Sequence, residues 1–176
     1  QKYYPFADKK ITKYAEPFIG GGAVLFDVLN RYDLSEVYIS DINAELVNCY
    51  WAAQQCVEEL IQALTKMQDE YLPLNHEKRR EYYTEKRARF NELKNGEKKK
   101  GDIEKAALMI FLNRTCFNGL FRVNKKGQFN VPMGAYKNPI ICDAQNLRAV
   151  SQKLKAVKIV CGDYKKSEVF VDENTF

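Results

Sequence analysis

Short apolar runs rich in β-favouring residues alternate with helical stripes along the chain. Ile11-Thr12-Lys13-Tyr14-Ala15 predicts a strand, followed by Glu16-Pro17-Phe18-Ile19-Gly20-Gly21-Gly22. Ala23 to Asn30 predicts a helix, with Val24, Leu25, Val28 and Leu29 on one face. Glu36-Val37-Tyr38-Ile39-Ser40 predicts a second strand, ending at Asp41-Ile42-Asn43, and Asn43 suits the N-cap of a long helix. In that helix Leu46, Tyr50, Ala53, Val57, Leu60, Leu64, Met67 and Tyr71 alternate steps of four and three, a packing stripe that Pro73 ends. A further helix is expected from His76 to Lys94, an exposed turn at Asn95-Gly96 and Lys98 to Gly101, and another helix from about Asp102 to Cys116. The latter places Ala106, Ala107, Ile110 and Phe111 on a common face. After an irregular segment, Asp143 suits the cap of a helix carrying Leu147, Val150 and Leu154. Val157-Lys158-Ile159-Val160-Cys161 then predicts a third strand, closed by Gly162-Asp163-Tyr164.

The β–α alternation implies a parallel α/β sheet interrupted by a mainly helical lobe. Residues 1–53 and 140–176 are expected to form the two segments of the α/β part, and residues 54–139 the inserted lobe. Three strands make a thin sheet, and the chain stops at Glu173-Asn174-Thr175-Phe176 without a terminal helix. A piece of a longer protein is therefore expected.

Composition narrows the class. Of 176 residues, 45% are apolar and 29% charged, which fits a globular domain and excludes a disordered tail or a collagen-like fibre. No apolar run approaches the roughly 20 residues that cross a bilayer. The start, Gln1-Lys2-Tyr3-Tyr4-Pro5, carries neither an initiator Met nor a signal-peptide pattern, so a cytoplasmic protein with no membrane partner is expected. Cys49, Cys56, Cys116, Cys142 and Cys161 are widely spaced, without a Cys-x-x-Cys pair, and are expected to be reduced and mostly buried. The single histidine, His76, argues against a zinc cluster and a His-based triad, and no metal site is expected.

The placement of the net charge of +5 says more than its size. Between Lys105 and Cys142 there is no Asp or Glu, while Lys105, Arg114, Arg122, Lys125, Lys126 and Lys137 are positive. The same segment holds Phe111, Phe117, Phe121, Phe129, Tyr136, Asn113, Asn118, Asn124 and Asn130. Basic, aromatic and amide side chains together suit phosphate contact, stacking and base-edge hydrogen bonding. Composition alone leaves a second reading equally open, a polar loop over buried aromatics. From Glu77 to Glu104 both signs mix, as on a solvated helix face.

A glycine-rich turn between strand and helix lets a ligand approach backbone amides closely. Asp41, 19 residues after Gly22, is placed to accept from ribose hydroxyls, and Asp163 would line the same carboxyl edge. Three features at three successive strand ends favour a nucleoside-containing cofactor over three incidental turns. The dinucleotide fingerprint fails because Leu25 stands where its third glycine belongs, which also speaks against a nucleotide-dependent oxidoreductase, and no Walker loop is present. Glu16 is awkward beside phosphates and suits a cationic cofactor such as S-adenosylmethionine.

At these residues the chain resembles the adenine-specific DNA methyltransferases of the Dam type, the D12 class. Glu16 to Gly22 is similar to their S-adenosylmethionine motif, Ser40-Asp41-Ile42-Asn43 to their second motif, and Gly162-Asp163-Tyr164 to their third. The most specific match is Asn113-Arg114-Thr115-Cys116-Phe117-Asn118-Gly119-Leu120-Phe121-Arg122-Val123-Asn124-Lys125-Lys126-Gly127-Gln128-Phe129-Asn130-Val131-Pro132, which resembles the signature of their target-recognition lobe. The likeness runs from about Tyr14 to Phe176.

The resemblance implies a partial Rossmann-like methyltransferase sheet with an inserted, mainly helical DNA-recognition lobe, and transfer of methyl from S-adenosylmethionine to adenine N6. It implies that Glu16, Pro17, Phe18, Gly20 and Gly22 surround the methionine part of the cofactor. Asp41 would hold the ribose, Ile42 would pack on the adenine, and Asp163 would accept from its amino group. It implies that Arg122 reads a guanine of double-stranded DNA, Phe117 wedges into the base stack and Asn118 occupies space near the vacated base. Arg114, Asn124 and Asn130 would hold the backbone, with Lys126 also on the DNA, and Pro132 would touch a base at the edge of a site such as GATC.

Departures accompany the likeness. Ala135 follows Gly134 where relatives commonly carry Arg, a contact that Lys137 is placed to take over. The catalytic Asp-Pro-Pro-Tyr motif is absent and is expected just beyond Phe176, so the 176 residues alone are expected to be inactive. A cognate restriction endonuclease would be a functional partner. The competing reading from another class is a sequence-specific DNA-binding module without chemistry.

Overall fold

The computed structural model of the chain describes residues 4–7, 10–94 and 101–176. The turn expected at Asn95-Gly96 lies outside them. Three parallel strands, β1 (Lys13–Glu16), β2 (Glu36–Asp41) and β3 (Val157–Cys161), form a sheet in the order β1-β2-β3. Among the described residues six α-helices accompany it: α1 (Ala23–Arg31), α2 (Ala44–Gln55), α3 (Val57–Tyr71), α4 (His76–Lys94), α5 (Ile103–Thr115) and α6 (Ala144–Leu154). The structure is thus mixed α/β, with the helices far outweighing the small sheet.

The central strand reads as it does because both its faces are covered. Val37, Tyr38, Ile39 and Ser40 are all buried, the continuous burial expected of a parallel strand between helices. Its register pairs Glu16 with Ile39 on one side and Asp41 with Cys161 on the other. A fourth segment joins at the far side of β1. The N–H groups of Lys13 and Ala15 donate to the carbonyls of Asn174 and Phe176 at 3.0 and 2.8 Å, and Thr175 bridges Lys13 in parallel. The chain therefore steps outward from β1 to β3 and then returns to the opposite side of β1.

The single long helix expected from Asn43 to Tyr71 is two helices. Cys56 leaves the helical region, at φ −139° and ψ 47°, while its N–H still donates to the Ala52 carbonyl. No proline or glycine marks the break. Its anchor is tertiary: the Gln54 side-chain amide donates to the carbonyls of Leu154 and Val157, at 2.7 and 2.8 Å, fixing the end of α2 to the α6–β3 connection. The stripe survives on both sides, since Tyr50, Ala53, Leu60, Leu64 and Tyr71 remain buried. Glu58 and Glu59 in the first turn of α3 complement its positive N-terminus.

Helix α5 departs from its expected single face. Ala106, Ala107, Leu108, Phe111 and Leu112 are all buried, because α2, α3 and α4 pack around it. Two alanines in sequence let those helices approach closely. Helix α4 is the opposite case: only Tyr83 and Phe90, two turns apart, are buried, and its outer face is laced with ion pairs such as Arg89–Glu104. Each such aromatic contributes about 1.5–3 kcal/mol by leaving water. One core runs from Tyr14 and Ile39 through Leu64, Phe90 and Phe111 to Val157. The cysteines are all unpaired, but only Cys116 is fully buried; the other four are half-buried, less than composition led one to expect. Among the described residues, no helix is long and apolar enough to cross a membrane.

One buried polar residue ties α5 to α2. The Asn48 amide donates to the Asp102 carbonyl at 2.8 Å and accepts the Asp102 N–H at 2.9 Å. Asp102 in turn caps α5 by accepting the Lys105 N–H. Asn48→Ala leaves that N–H without a partner and is expected to destabilise the fold by about 1–3 kcal/mol in urea unfolding. An unchanged midpoint would show that water replaces the side chain there.

Candidate functional site

All three strands are parallel, so the turns that follow them open on one edge. Between β1 and α1 the backbone turns through Gly20 and Gly22, at φ 48° and 73°. Gly22 admits no side chain: a Cβ there would lie 2.6 Å from the Tyr50 hydroxyl and 3.0 Å from the Phe26 ring. Tyr50 donates to the Gly20 carbonyl at 2.9 Å, so α2 pins the turn from below. Ile19 closes it by donating its N–H to Ser40.

Asp41 is the hub of this edge. One carboxylate oxygen accepts the Gly20 N–H at 3.2 Å, the other accepts the Asn43 N–H at 2.9 Å, and its carbonyl accepts the Gly162 N–H at 2.9 Å. One residue thus joins the turns after all three strands. Asn43 is the N-cap of α2, its side chain accepting from Glu45 and Leu46. Glu16 is half-buried, and burial pushes its carboxyl above the usual range. Hydrogen bonds from the Tyr14 hydroxyl, at 2.8 Å, and from the Leu25 N–H pull the other way. The carboxylate is thus supported by two donors in a partly dry setting.

The apolar members of the edge face outward. Ile42 is 76% exposed and Phe18 72% exposed, with the Phe18 ring 5.8 Å from that of Tyr164. Pro17 is half-buried, its carbonyl accepting from the Ser40 hydroxyl. Asp163 is exposed and caps the following 3-10 turn, Tyr164–Ser167, by accepting the Lys165 N–H at 3.0 Å. The edge flanks β1, where the chain reverses its direction of travel across the sheet. Open α/β sheets bind ligands at the carboxyl ends of strands beside such a reversal.

The basic segment divides the two readings that composition left open. Phe111 and Phe129 belong to the core, whereas Phe117, Phe121 and Tyr136 are exposed. Phe117 is 52% exposed, on a short 3-10 turn, Phe117–Gly119. Asn118 there adopts left-handed backbone, φ 53°. Arg114, in the last turn of α5, is exposed nearby. Residues 122–130 fold back as a hairpin, bridged at Val123 and Phe129. The Asn124 side chain builds its turn, accepting the N–H groups of Lys126 and Gln128 at 2.9 and 3.0 Å. Lys126 is exposed at the tip.

Arg122 is held by its neighbour across the hairpin. Its Nε donates to Asn130 Oδ1 at 2.9 Å and an Nη to the Asn130 carbonyl at 3.4 Å, while the side chain stays exposed. Asn91 on α4 imitates a strand partner, bonding both the N–H and the carbonyl of Phe129 at 2.8 and 3.1 Å. Tyr83 donates to the Val131 carbonyl. Pro132 and Lys137 are exposed beyond it. Arg79 holds the Lys137 end, donating to the carbonyls of Tyr136, Lys137 and Leu72. Tyr50, Arg79 and Asn91 escaped the sequence reading because each looked like a stripe or surface position; only their polar tips, aimed at backbone, set them apart. Tyr14 looked like a strand residue only, and its hydroxyl reaches the Glu16 carboxylate instead.

A model of the D12 class N6 adenine-specific DNA methyltransferase family matches residues 4–176. The chain is 51% identical over 166 residues to the type II methyltransferase M.MjaIII of Methanocaldococcus jannaschii, covering 94% of this chain and 56% of that protein. It is 38% identical to the type II methyltransferase M1.LlaDCHI of Lactococcus lactis subsp. cremoris, over 90% of this chain and 52% of that protein. It is 31% identical to the DNA adenine methylase of Escherichia coli (strain K12), over 90% of this chain and 51% of that protein. The chain spans about half the length of these relatives.

The Glu16 geometry gives a titration with a definite sign. Tyr14→Phe removes a donor that favours the carboxylate, so the Glu16 pKa should rise further above the ordinary carboxyl value. Carbon-detected NMR titration of the side-chain carboxyl reads this directly; an unchanged or lower pKa contradicts the assigned role of Tyr14.

Proposed function

The chain belongs to the D12 class N6 adenine-specific DNA methyltransferase family, and from that premise we propose that the whole protein transfers methyl from S-adenosylmethionine to adenine N6 at a defined site in double-stranded DNA. The observation that carries this reading is the meeting of the Glu16, Asp41 and Gly162 turns through one carboxylate residue, on a chain that also presents an exposed basic hairpin. In this reading β1 to β3 are part of a Rossmann-like sheet, residues 54–139 are the target-recognition lobe, and the protein works on DNA in the cytoplasm.

The cofactor edge fits its proposed ligand. Each Asp41 oxygen accepts one N–H, leaving lone pairs for ribose hydroxyls. Ile42 is apolar and exposed, and gains burial against a flat base, while the exposed Phe18 ring gains burial beside the methionine part. Asp163 takes the amino group of that base, and Glu16, Pro17, Gly20 and Gly22 line the methionine part, with the Glu16 carboxylate facing positive charge. S-adenosylmethionine supplies, when bound, the electrophilic methyl on its sulfonium.

On the DNA side, Asn130 holds Arg122 through Nε and one Nη while the side chain stays exposed, which leaves N–H groups for a bidentate contact with guanine in the major groove. Phe117 enters the base stack and Asn118 stands in for the displaced partner, because an adenine inside a duplex must leave the stack for reaction. Arg114, Asn124, Lys126, Asn130 and Lys137 contact the backbone, and Pro132 touches a base at the edge of the site. Holding the amine against the methyl supplies much of the acceleration, since the lone pair is delocalised into the ring. The chain contains no Asp-Pro-Pro-Tyr, so the groups that accept the amino hydrogens are assigned to sequence outside it. The 176 residues alone are then inactive. The reading includes GATC as the site and a cognate restriction endonuclease as functional partner.

Transfer of tritiated methyl from S-adenosylmethionine to unmethylated duplex, with nucleoside analysis, tests the proposal. The full-length protein should place label in N6-methyladenine, and the 176-residue chain none. DNA binding without label from either would leave a recognition module in place of an enzyme. In the full-length protein, Arg122→Ala should relax discrimination at one base pair by about 1–3 kcal/mol; equal weakening on every sequence would refute base reading. Asp41→Ala should weaken cofactor binding roughly tenfold or more, as a hydrogen bond to a charged acceptor contributes about 1.5–3 kcal/mol. Equilibrium dialysis measures that loss.

A further inference from the structure

Lys94, at the end of α4, stands where the hairpin and the cofactor edge come together. Its ammonium donates to the Gly127 carbonyl at 2.8 Å and lies 3.6 Å from the Glu45 carboxylate. Gly127 forms the turn of the hairpin, at φ 74°, and its N–H donates to the Asn124 carbonyl. Glu45 lies in the first turn of α2, and its N–H donates to Asn43, whose own N–H donates to Asp41. A single ammonium therefore touches both the tip of the hairpin and a carboxylate in the first turn of the helix whose cap, Asn43, stands on Asp41.

This pair differs from the ion pairs on the helix faces. The side chains of Lys94 and Glu45 are 15% and 18% exposed, against 47% and 50% for Arg89–Glu104 and 52% and 55% for Arg148–Glu58. The Lys94 ammonium lies 6.0 Å from the Phe90 ring centroid and 5.8 Å from that of Phe121. Covered charges escape most salt screening but give up hydration, so their pairing is weak as a source of stability. What the arrangement supplies is register. At its base the hairpin is already fixed by the Asn91–Phe129 bonds and by Phe129 against Phe90. Those contacts lie at the base of the hairpin, and Lys94 adds a hold on its tip by donating to the Gly127 carbonyl.

We propose that Lys94 is a positioning residue that holds the Arg122–Asn130 hairpin in register with the Asp41 edge, so that cofactor and DNA each raise the affinity for the other. The inference rests on the proposed function of these two sites. A ligand that draws on Asp41 bears on the Asn43 cap and hence on Glu45. A duplex that settles the hairpin fixes the Gly127 carbonyl. Both act on the placement of the same ammonium, and such coupling is reciprocal. A contiguous chain of contacts becomes a pathway only through a measured coupling.

The test uses full-length protein, S-adenosylhomocysteine as an unreactive cofactor probe, and a duplex that takes up label in the transfer assay. Titration calorimetry measures the S-adenosylhomocysteine Kd with and without that duplex. The wild type should bind at least about fivefold more tightly with DNA present, the lower end of ordinary coupling between sites. Lys94→Met should bring the ratio close to one while leaving affinity without DNA within about twofold. Lys94→Arg should restore part of it, and Glu45→Gln should reproduce the loss, carrying the test if Lys94→Met fails to fold. A wild-type ratio near one, or a full ratio in a folded Lys94→Met or Glu45→Gln, overturns the role of Lys94 while leaving the two sites intact. A wild type that binds neither probe nor any duplex overturns the functional reading and this inference with it.

Discussion

The parallel pairing of β2 with both of its neighbours is the constraint on which the rest of the molecule depends. Its ladder sets Glu16 against Ile39 and Cys161 against Asp41, so the turns leaving all three strands emerge on one side. Parallel strands need long crossovers, and the connection from β2 to β3 contains α2 to α6 and the whole basic segment. The helical block with its basic segment is thus an enlarged crossover. Its helices cannot move far from the sheet, because α2 begins where β2 ends and α6 leads directly into β3.

Within that frame the polar side chains that matter most act on backbone. Tyr50 pins the Gly20 carbonyl, Asn48 clips the start of α5, Gln54 stops α2, and Asn91 pairs with Phe129 as a strand would. Each satisfies a main-chain group that irregular structure would otherwise leave unpaired in a partly dry setting. The segment from Thr115 to Lys137 has almost no regular structure, yet Tyr83, Asn91 and Lys94 each hold one of its carbonyls from α4, and Arg79 holds two. Helix α4 buries few side chains and instead serves as the rail along which this segment is tied.

Charge follows the same division of labour. Exposed pairs such as Arg148–Glu58 bridge α6 and α3 in good geometry but sit in water, where screening keeps their contribution small. Of the cations of the acid-free segment, Lys105 is buried in α5, whereas Arg114, Arg122, Lys125, Lys126 and Lys137 are exposed, and no carboxylate stands among them in sequence. A surface built this way favours a polyanion along its whole length.

Much of this was legible in the residues themselves. The strands, the capping roles of Asn43 and Asp143, and the extents of α1 and α4 follow from local pattern, because capping geometry and apolar period are short-range properties. So does the grouping of Glu16, the glycines, Asp41 and Asp163 at strand ends. Tertiary structure alone decided three things. It broke the helix at Cys56, where the anchor comes from residues about a hundred positions away. It sorted the aromatics of the basic segment into buried Phe111 and Phe129 and exposed Phe117, Phe121 and Tyr136, which composition could not separate. And it joined Asp41 to Gly20 and Gly162, and Lys94 to both Glu45 and Gly127. Such contacts are long-range and made by side chains reaching backbone, and a linear pattern carries no record of which carbonyl a hydroxyl, amide or ammonium will find.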